Sequence, residues 1–166
     1  MDDLDLARAR FPVGSRLHAR VSLVPAPGRI GIFLRADAAP EGFVDVLHLP
    51  RDVGAWPHVG QESEFEVLQH GRGQMRLWPL DPDWREPKQW VSDADWDAVT
   101  AALHVGDQLT GTITSVFTIN RECAVDLGVA TAVAEWSGTT PTVGEQRYFR
   151  ITALLATTRR VLIAPA

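Results

Sequence analysis

Arginine and aromatic side chains alternate with aliphatic ones along three stretches in the first half of the chain. From residue 15 to 24 the apolar side chains recur at every second position, which predicts a half-buried strand with one polar face. The alternation over 29–35 and 74–78 predicts two more strands of the same kind. The side chains expected on the outward faces of these strands are Arg16, His18, Arg20, Arg29, Phe33, Arg35, Arg76 and Trp78.

These side chains have the chemistry to hold a flexible nucleic acid strand. A guanidinium group pairs with phosphate through two parallel hydrogen bonds and also stacks on bases. An aromatic ring offers a stacking face worth about 1–3 kcal/mol per base. Two other interpretations stay open. Glu64 and Glu66, outward on a strand predicted over 62–68, would neutralise the arginines across the sheet, with Trp78 covered by a linker or a second domain. Alternatively the face contacts protein, because arginine and tryptophan are favoured interface anchors.

The chain carries two copies of one pattern. Residues 59–67 match residues 143–151 in their apolar positions, and residues 13–21 match residues 105–113; a Val-Gly pair opens each segment. Self-similarity at this length indicates a duplicated domain. The strands predicted in the first copy cover 15–24, 29–35, 42–46, 62–68 and 74–78. Those predicted in the second cover 108–116, 122–127, 129–135, 145–153 and 159–163.

Two helices and a linker complete the predicted elements. A short helix over 2–10 is ended by Pro12, and Ser92 is the expected N-cap of a second helix that runs to about Leu103. We expect three parts: a first barrel with its N-terminal arm over 1–80, a linker with the short helix over 81–104, and a second barrel over 105–166. Trp84 and Trp90 should dock the linker onto a neighbouring domain, because leaving each in water forfeits about 2–3 kcal/mol.

Composition limits the class of protein. The 166 residues are 45% hydrophobic, enough for two domains of roughly 75 residues each. The single cysteine excludes an internal disulfide framework, and no apolar run approaches the roughly 18 residues of a membrane span. With its acidic N-terminus the chain is expected to be cytoplasmic. A net charge of −5 argues against indiscriminate nucleic-acid binding, so local charge must carry any such function.

Catalytic and metal-binding patterns are missing from the sequence. No pair among the five histidines has helical metal-ligand spacing, and no cysteine cluster completes a zinc site. Each histidine is expected at the surface or in a loop, whereas Cys123 is expected to face inward as a small apolar side chain. No phosphate-cradling glycine loop or nucleophile motif occurs. We therefore expect no cofactor, no metal and no enzymatic activity.

Five strands per copy and the repeated Val-Gly pairs resemble the S-one RNA-binding domain family, named for a ribosomal protein. Residues 31–34, Gly-Ile-Phe-Leu, are similar to that family's Gly-Ala-Phe-Val on strand two. Residues 42–46, Gly-Phe-Val-Asp-Val, are similar to its Gly-Leu-Val-His-Ile on strand three. The resemblance implies a small OB-type β-barrel that lays single-stranded RNA across one sheet face.

This sequence departs from the family at several contact positions. Phe33 is retained, but Ile30 stands where a second aromatic is common, Asp45 where the family has histidine, and Gln74 where a basic residue is frequent. The second copy retains less. It has Ala124 at the aromatic position and Ala134 at the histidine position, although Arg160 matches the basic one. Its outer face is expected to show Thr110, Thr112, Thr114, Glu122 and Asp126, none of which attracts a phosphate.

The sequence thus predicts an all-β protein of two tandem five-stranded OB-type barrels, joined by a linker and a short helix, that binds without catalysis. The first hypothesis is single-stranded RNA binding by the first barrel, with the second barrel as a prop or a partner-recruiting module. The alternative is a protein-interaction adaptor that keeps the scaffold and has lost the nucleic-acid grip. That alternative predicts Trp56, Trp78 or Trp136 in an exposed apolar patch.

Overall fold

The computed structural model describes residues 1–87 and 89–166. These residues form two compact units, Met1–Lys88 and Gln89–Ala166. Within the described residues each unit is built on one closed five-stranded β-barrel. The predicted all-β class with two tandem OB-type barrels is confirmed.

The first barrel is closed by pairing its first strand with its fourth. Its strands are β1 (Arg16–Leu23), β2 (Gly31–Arg35), β3 (Glu41–Asp45), β4 (Glu62–Gly71) and β5 (Gln74–Pro79). Around the barrel they follow the order β1-β2-β3-β5-β4. Strands β3 and β5 pair in parallel, and the other pairs are antiparallel. Short 3-10 helices, Val46–His48 and Val53–Ala55, lie in the long connection from β3 to β4.

The second barrel repeats this topology strand for strand. Its strands are β6 (Gln108–Phe117), β7 (Glu122–Asp126), β8 (Thr131–Glu135), β9 (Gln146–Leu155) and β10 (Arg160–Pro165). The order β10-β8-β7-β6-β9 is that of the first barrel, again with β6 closing on β9 and β8 parallel to β10. The two copies seen in the sequence are therefore two copies of one backbone.

Each barrel encloses its own apolar core. Alternate residues of the strands point inward, as the pleat requires. The first core includes Val21, Ile32, Leu34, Phe65, Val67, Met75 and Leu77. The second includes Ile113, Cys123, Val125, Phe149, Ile151, Val161 and Ile163. The predicted inward position of Cys123 is confirmed, and burial raises the pKa of its thiol.

The repeated Val-Gly pairs are the turns that align β1 with β4 and β6 with β9. Gly60 has a φ of 93° and donates its N–H to the Val21 carbonyl at 2.8 Å. Its counterpart Gly144 has a φ of 88° and donates to Ile113 at 2.7 Å. Positive φ values of this kind are costly for residues with a Cβ. The duplication is visible in the sequence because the same backbone turn requires glycine in both copies.

The segments outside the barrels pack on the unit to which they belong. Helix α1 (Asp3–Arg10) begins with a capping box between Asp2 and Asp5, and the predicted helix is confirmed. His70 of β4 is fully buried, with its Nε2 at 2.5 Å from the Phe11 carbonyl that follows α1. The expectation that every histidine lies at the surface or in a loop is wrong for His70.

Residues of the predicted linker segment associate with both units. Trp84, in the 3-10 helix Pro82–Trp84, lies edge-on to the Phe65 ring at a centroid distance of 5.8 Å. Helix α2 (Asp93–Ala102) begins at Ser92, whose hydroxyl accepts from the Asp95 N–H at 3.1 Å. Val99 of this helix lies in the core of the second barrel. Lys88 lies outside the described residues.

We predict that Gly60→Ala lowers the free energy of unfolding by about 1–2 kcal/mol, the cost of a left-handed backbone for a residue with a Cβ. No atom lies within 4 Å of the position that the new Cβ would take, so the cost is conformational and not steric. Urea denaturation followed by tryptophan fluorescence measures it. Gly60→Asn is the matched control and should lose less, because asparagine tolerates this backbone region. Equal stability of the alanine variant and the parent would contradict the role of the turn.

Candidate nucleic-acid interface

Strand β1 presents its basic side chains to solvent, as its alternation predicts. Arg16, His18 and Arg20 are exposed, whereas Ala19 and Val21 are buried in the barrel. Arg35 at the end of β2 is also exposed, and the register places it directly opposite Arg20. The predicted outward direction of these four basic side chains is confirmed.

Two predictions at the start of β2 are wrong. Strand β2 begins at Gly31, so Arg29 lies in the preceding turn and is not a strand residue, although it is exposed. The predicted alternation over 29–35 places Ile30 inside, but Ile30 is 56% exposed and has a φ of 23°. The predicted alternation over 15–24 likewise places Leu23 of β1 inside, but Leu23 is 52% exposed. A bulge between Val21 and Leu23 reverses the alternation there, because one extra residue turns the next side chain to the other face.

Four side chains line up across four strands of the outer surface. Leu23 on β1 lies opposite Phe33 on β2, Phe33 opposite Phe43 on β3, and Phe43 opposite Arg76 on β5. We call this set the outer row. The rings of Phe33 and Phe43 are tilted by 47° with centroids 5.1 Å apart. The Arg76 guanidinium lies 5.2 Å from the Phe43 ring centroid, within cation–π range.

Phe43 is the member of the outer row that sequence reasoning missed. It is buried, yet it does not belong to the barrel core, because Phe33 and Arg76 contact it on the outside of the sheet. The signal was present in the sequence. Val44 faces the core with no exposed surface, so the alternation of β3 directs Phe43 and Asp45 outward. The family motif that residues 42–46 resemble has leucine at the position of Phe43, so the resemblance does not mark Phe43 as a contact residue.

Asp45 organises the edge of the outer row. Its Oδ2 accepts from the Arg76 Nη1 at 3.1 Å, and its Oδ1 accepts from the Leu47 N–H at 2.9 Å. The carboxylate therefore fixes Arg76 beside Phe43 and caps the 3-10 helix Val46–His48. Neighbouring His48 is partly buried, and desolvation lowers the pKa of its imidazole. His48 is therefore expected to be neutral near pH 7.

The expectation that Trp78 lies exposed on this face is wrong. Trp78 is 4% exposed. The centroids of the His48 and Trp78 rings are 5.0 Å apart, and the Arg85 guanidinium lies 5.5 Å from the Trp78 ring centroid. Arg85 is held there by hydrogen bonds to the Pro79 and Leu80 carbonyls at 2.8 and 2.9 Å. The chain after β5 thus folds back over the strand, as one of the alternatives proposed. Burial of so large a ring is more favourable than its exposure.

The other two tryptophans that the adaptor hypothesis placed in an exposed patch are buried as well. Trp56 is 4% exposed and belongs to the first core, where its indole N–H donates to the Pro50 carbonyl at 2.7 Å. Trp136 is 8% exposed and belongs to the second core. None of the three offers an anchor to a partner protein.

Glu62, a carboxylate that the sequence analysis did not name, neutralises part of the β1 face. Glu62 accepts from the Arg20 Nε at 3.2 Å and Nη2 at 3.1 Å, and its other oxygen lies 3.3 Å from the His18 Nε2. These hydrogen bonds, the one from His18 first, hold the pKa of Glu62 below its ordinary value. Glu66, expected outside, is 2% exposed, and it lies opposite Arg16 in the register.

The second barrel builds the equivalent of the outer row from small and aliphatic side chains. Its register aligns Ser115, Ala124, Val133 and Leu162 as the first aligns Leu23, Phe33, Phe43 and Arg76. Ala124 does stand at the aromatic position. The placement of Ala134 at the histidine position is wrong by one residue. Glu135 lies opposite Glu122 as Asp45 lies opposite Gly31, while Ala134 is buried.

The predicted outer-face residues of the second barrel are exposed only in part. Thr110, Thr114 and Asp126 are exposed as predicted. Thr112 is partly buried, and Glu122 is 1% exposed and so does not reach solvent. Arg160 is partly buried.

Among the described residues no cluster of three histidine, cysteine or acidic side chains is arranged to hold a metal ion. Neither helix that the structure describes is long and apolar enough to cross a membrane.

The solved structures that resemble the chain include the following two. A multidomain protein with nucleic acid binding domains from Streptococcus pneumoniae TIGR4 aligns with 92% of this chain at 13% identity and a TM-score of 0.33. This chain spans about half of that protein, 51% of its length. GSP13 from Bacillus subtilis aligns with 57% of this chain and 72% of its own at 23% identity and a TM-score of 0.38. No protein-family model and no curated protein sequence matches. At these similarities neither neighbour assigns a function.

We predict that Trp78→Ala lowers the free energy of unfolding by about 3–5 kcal/mol, as expected for the loss of a buried large aromatic ring. Trp90→Ala is the matched control, because Trp90 is 58% exposed and its removal should cost clearly less. Thermal and urea denaturation of the two variants measure the difference. Equal losses of stability in the two variants would contradict the burial of Trp78 and indicate that it is exposed on the outer face.

Proposed function

We propose that the first barrel binds single-stranded RNA, without catalysis, on the outer face that carries the outer row. The observation that carries this proposal is the contact of Phe33, Phe43 and Arg76, which join three strands into one surface. Phe33 is half-buried, so part of its ring faces solvent while its tilt is fixed by Phe43 beneath. A fixed, partly exposed ring stacks a base at low entropic cost.

Exposed aliphatic side chains occur beside Phe33 in the register and just before β2 in the chain. Leu23 lies next to it in the outer row, and Ile30 precedes β2 with more than half of its surface exposed. Neither position contributes to the barrel core. A base stacked on Phe33 would therefore meet apolar neighbours, which favours an unpaired strand over a duplex whose bases face inward.

The cations around this surface are suited to the phosphates of the same strand. Arg29 and Arg35 are exposed, and within residues 1–87 and 89–166 neither has an ion-pair partner. Arg76 and Arg20 are paired with carboxylates but keep 45% and 64% of their side-chain surface exposed. Arg29 and Arg35 therefore remain available to phosphate on a chain whose net charge is −5.

The preference for RNA and the S-one type of domain follow from the resemblance of residues 31–34 and 42–46 to that family. The second barrel keeps the backbone and lacks the aromatic and cationic side chains at the equivalent positions, so it takes no part in the grip. We assign it a supporting or partner-recruiting role.

We predict that Phe33→Ala weakens binding of a fluorescein-labelled oligouridine by about 5- to 100-fold, the range for loss of one stacked base. Arg76→Glu should also weaken binding, because it replaces a phosphate contact with a repulsion. Its loss of affinity relative to the parent should be larger at low salt than at high salt. Fluorescence anisotropy with the full chain measures both. Arg150→Glu, an exposed arginine of β9, is the charge-matched control and should leave binding close to the parent's.

Unchanged affinity in both Phe33→Ala and Arg76→Glu, with melting temperatures equal to the parent's, would remove the proposal. A labelled DNA oligomer of the same sequence separates RNA binding from general single-strand binding. Equal affinities for the two would leave the face correct and the RNA preference wrong.

A further inference from the structure

Arg20, Arg35 and Glu62 lie side by side on three neighbouring strands, with Arg20 on β1 between the other two. Arg20 lies opposite Arg35 of β2 on one side and opposite Glu62 of β4 on the other. Like charges directly opposite each other destabilise a sheet unless a counter-charge is near. Glu62 supplies it with two hydrogen bonds from Arg20, at 3.2 and 3.1 Å, and one contact with His18 at 3.3 Å.

Arg20, Arg35 and Glu62 line a broad groove on the surface of the first barrel. The groove has a volume of about 920 Å³, and the polar side chains in its wall include His18, Arg20, Arg35 and Glu62. Asp37 and Glu41 line it as well. Among the described residues only Glu62 of these three carboxylates is bonded to an arginine of the groove.

The groove continues the outer row. Arg35 and Phe33 are two positions apart on β2 and lie on the same face, about 7 Å from each other along the strand. A nucleotide whose base stacks on Phe33 therefore has an adjoining phosphate within reach of Arg35 and Arg20. Because Arg35 has no ion-pair partner among the described residues, it breaks no ion pair when it accepts that phosphate.

We propose that Arg20 and Arg35 form a phosphate subsite for the strand that stacks on the outer row, and that Glu62 competes with the phosphate for Arg20. This inference rests on the proposed function. In the unbound protein the Glu62 carboxylate occupies the Nε and Nη2 donors of Arg20, which are the donors that a phosphate uses for bidentate pairing. Binding exchanges one anion for another.

The competition affects selectivity. A polyanion that offers phosphates alone must displace Glu62 and gains no stacking in return. A single strand gains the stacking on Phe33 in addition, so Glu62 lowers affinity for every polyanion and leaves the unpaired strand preferred.

The second barrel shows that the fold does not require these three charged side chains. At the same register positions it has Thr112, Asp126 and Gln146 in place of Arg20, Arg35 and Glu62. The barrel closes equally well with one anionic and two neutral side chains. The arginines and Glu62 of the first barrel are therefore available for a role in binding.

The test compares Glu62→Gln with Glu64→Gln in the full chain. Both variants remove one negative charge from an exposed position of β4, and only Glu62 is bonded to Arg20. Glu62→Gln should bind labelled oligouridine about fivefold more tightly than Glu64→Gln, as expected for release of an exposed ion pair. The slope of log affinity against log salt should become steeper by about 0.7, one additional phosphate contact on a single strand.

Arg35→Gln provides an independent arm that does not depend on Glu62. It should weaken binding about fivefold in the parent and in Glu62→Gln, with melting temperatures unchanged. Equal affinities for Glu62→Gln and Glu64→Gln, or no loss in Arg35→Gln, would overturn the subsite while Phe33→Ala still weakens binding. If the parent binds no oligouridine at any salt concentration, the proposed function itself fails and the subsite fails with it.

Discussion

The register of β1 against β4 is the constraint on which the rest of the first barrel depends. A shift of one residue would place Arg16, His18 and Arg20 in the core and the aliphatic residues between them in water. The backbone holds this register at both ends of the pair. Gly14 donates to the Val67 carbonyl at 2.8 Å, and Gly60 donates to the Val21 carbonyl at 2.8 Å. Both glycines have positive φ, which explains why the chain repeats Val-Gly before these strands and before their copies.

The duplicated backbone separates what the fold needs from what the surface does. Both barrels share strand order, turn glycines and a bulge at the same place in their first strands, between Val21 and Leu23 and between Ile113 and Ser115. They differ at the outward positions that these features align. The first barrel carries aromatic and cationic groups there, and the second carries small or aliphatic ones. The outer row is thus a property of the side chains and not a by-product of barrel closure.

Alternation in the sequence predicted most of the fold, because closed barrels bury one face of every strand. It failed where a local event changes the alternation or covers the surface. The bulge turned Leu23 outward, and the late start of β2 left Ile30 exposed. Trp78 does point away from the core, but the chain after β5 covers it. A two-residue periodicity carries no information about a segment that folds back from outside the sheet.

The sequence predicted which side chains of the candidate site face outward, but not which of them bond to one another. The sequence indicated that carboxylates of β4 neutralise β1, and it named Glu64 and Glu66 but not Glu62. In the structure Glu62 bonds both Arg20 opposite it and His18 on the diagonal. Register at the level of single residues decides which carboxylate is used. That register is set by turn geometry, which a pattern of apolar residues does not specify.

The most direct test of the central claim is the location of RNA on the full chain. Backbone amide shifts recorded by NMR during titration with an oligouridine should change at Phe33, Phe43 and Arg76 of the outer row. They should stay unchanged at Ala124, Val133 and Leu162, which occupy the equivalent positions of the second barrel. Shifts of similar size in both sets, or shifts confined to the second barrel, would contradict the claim that the outer row binds the strand.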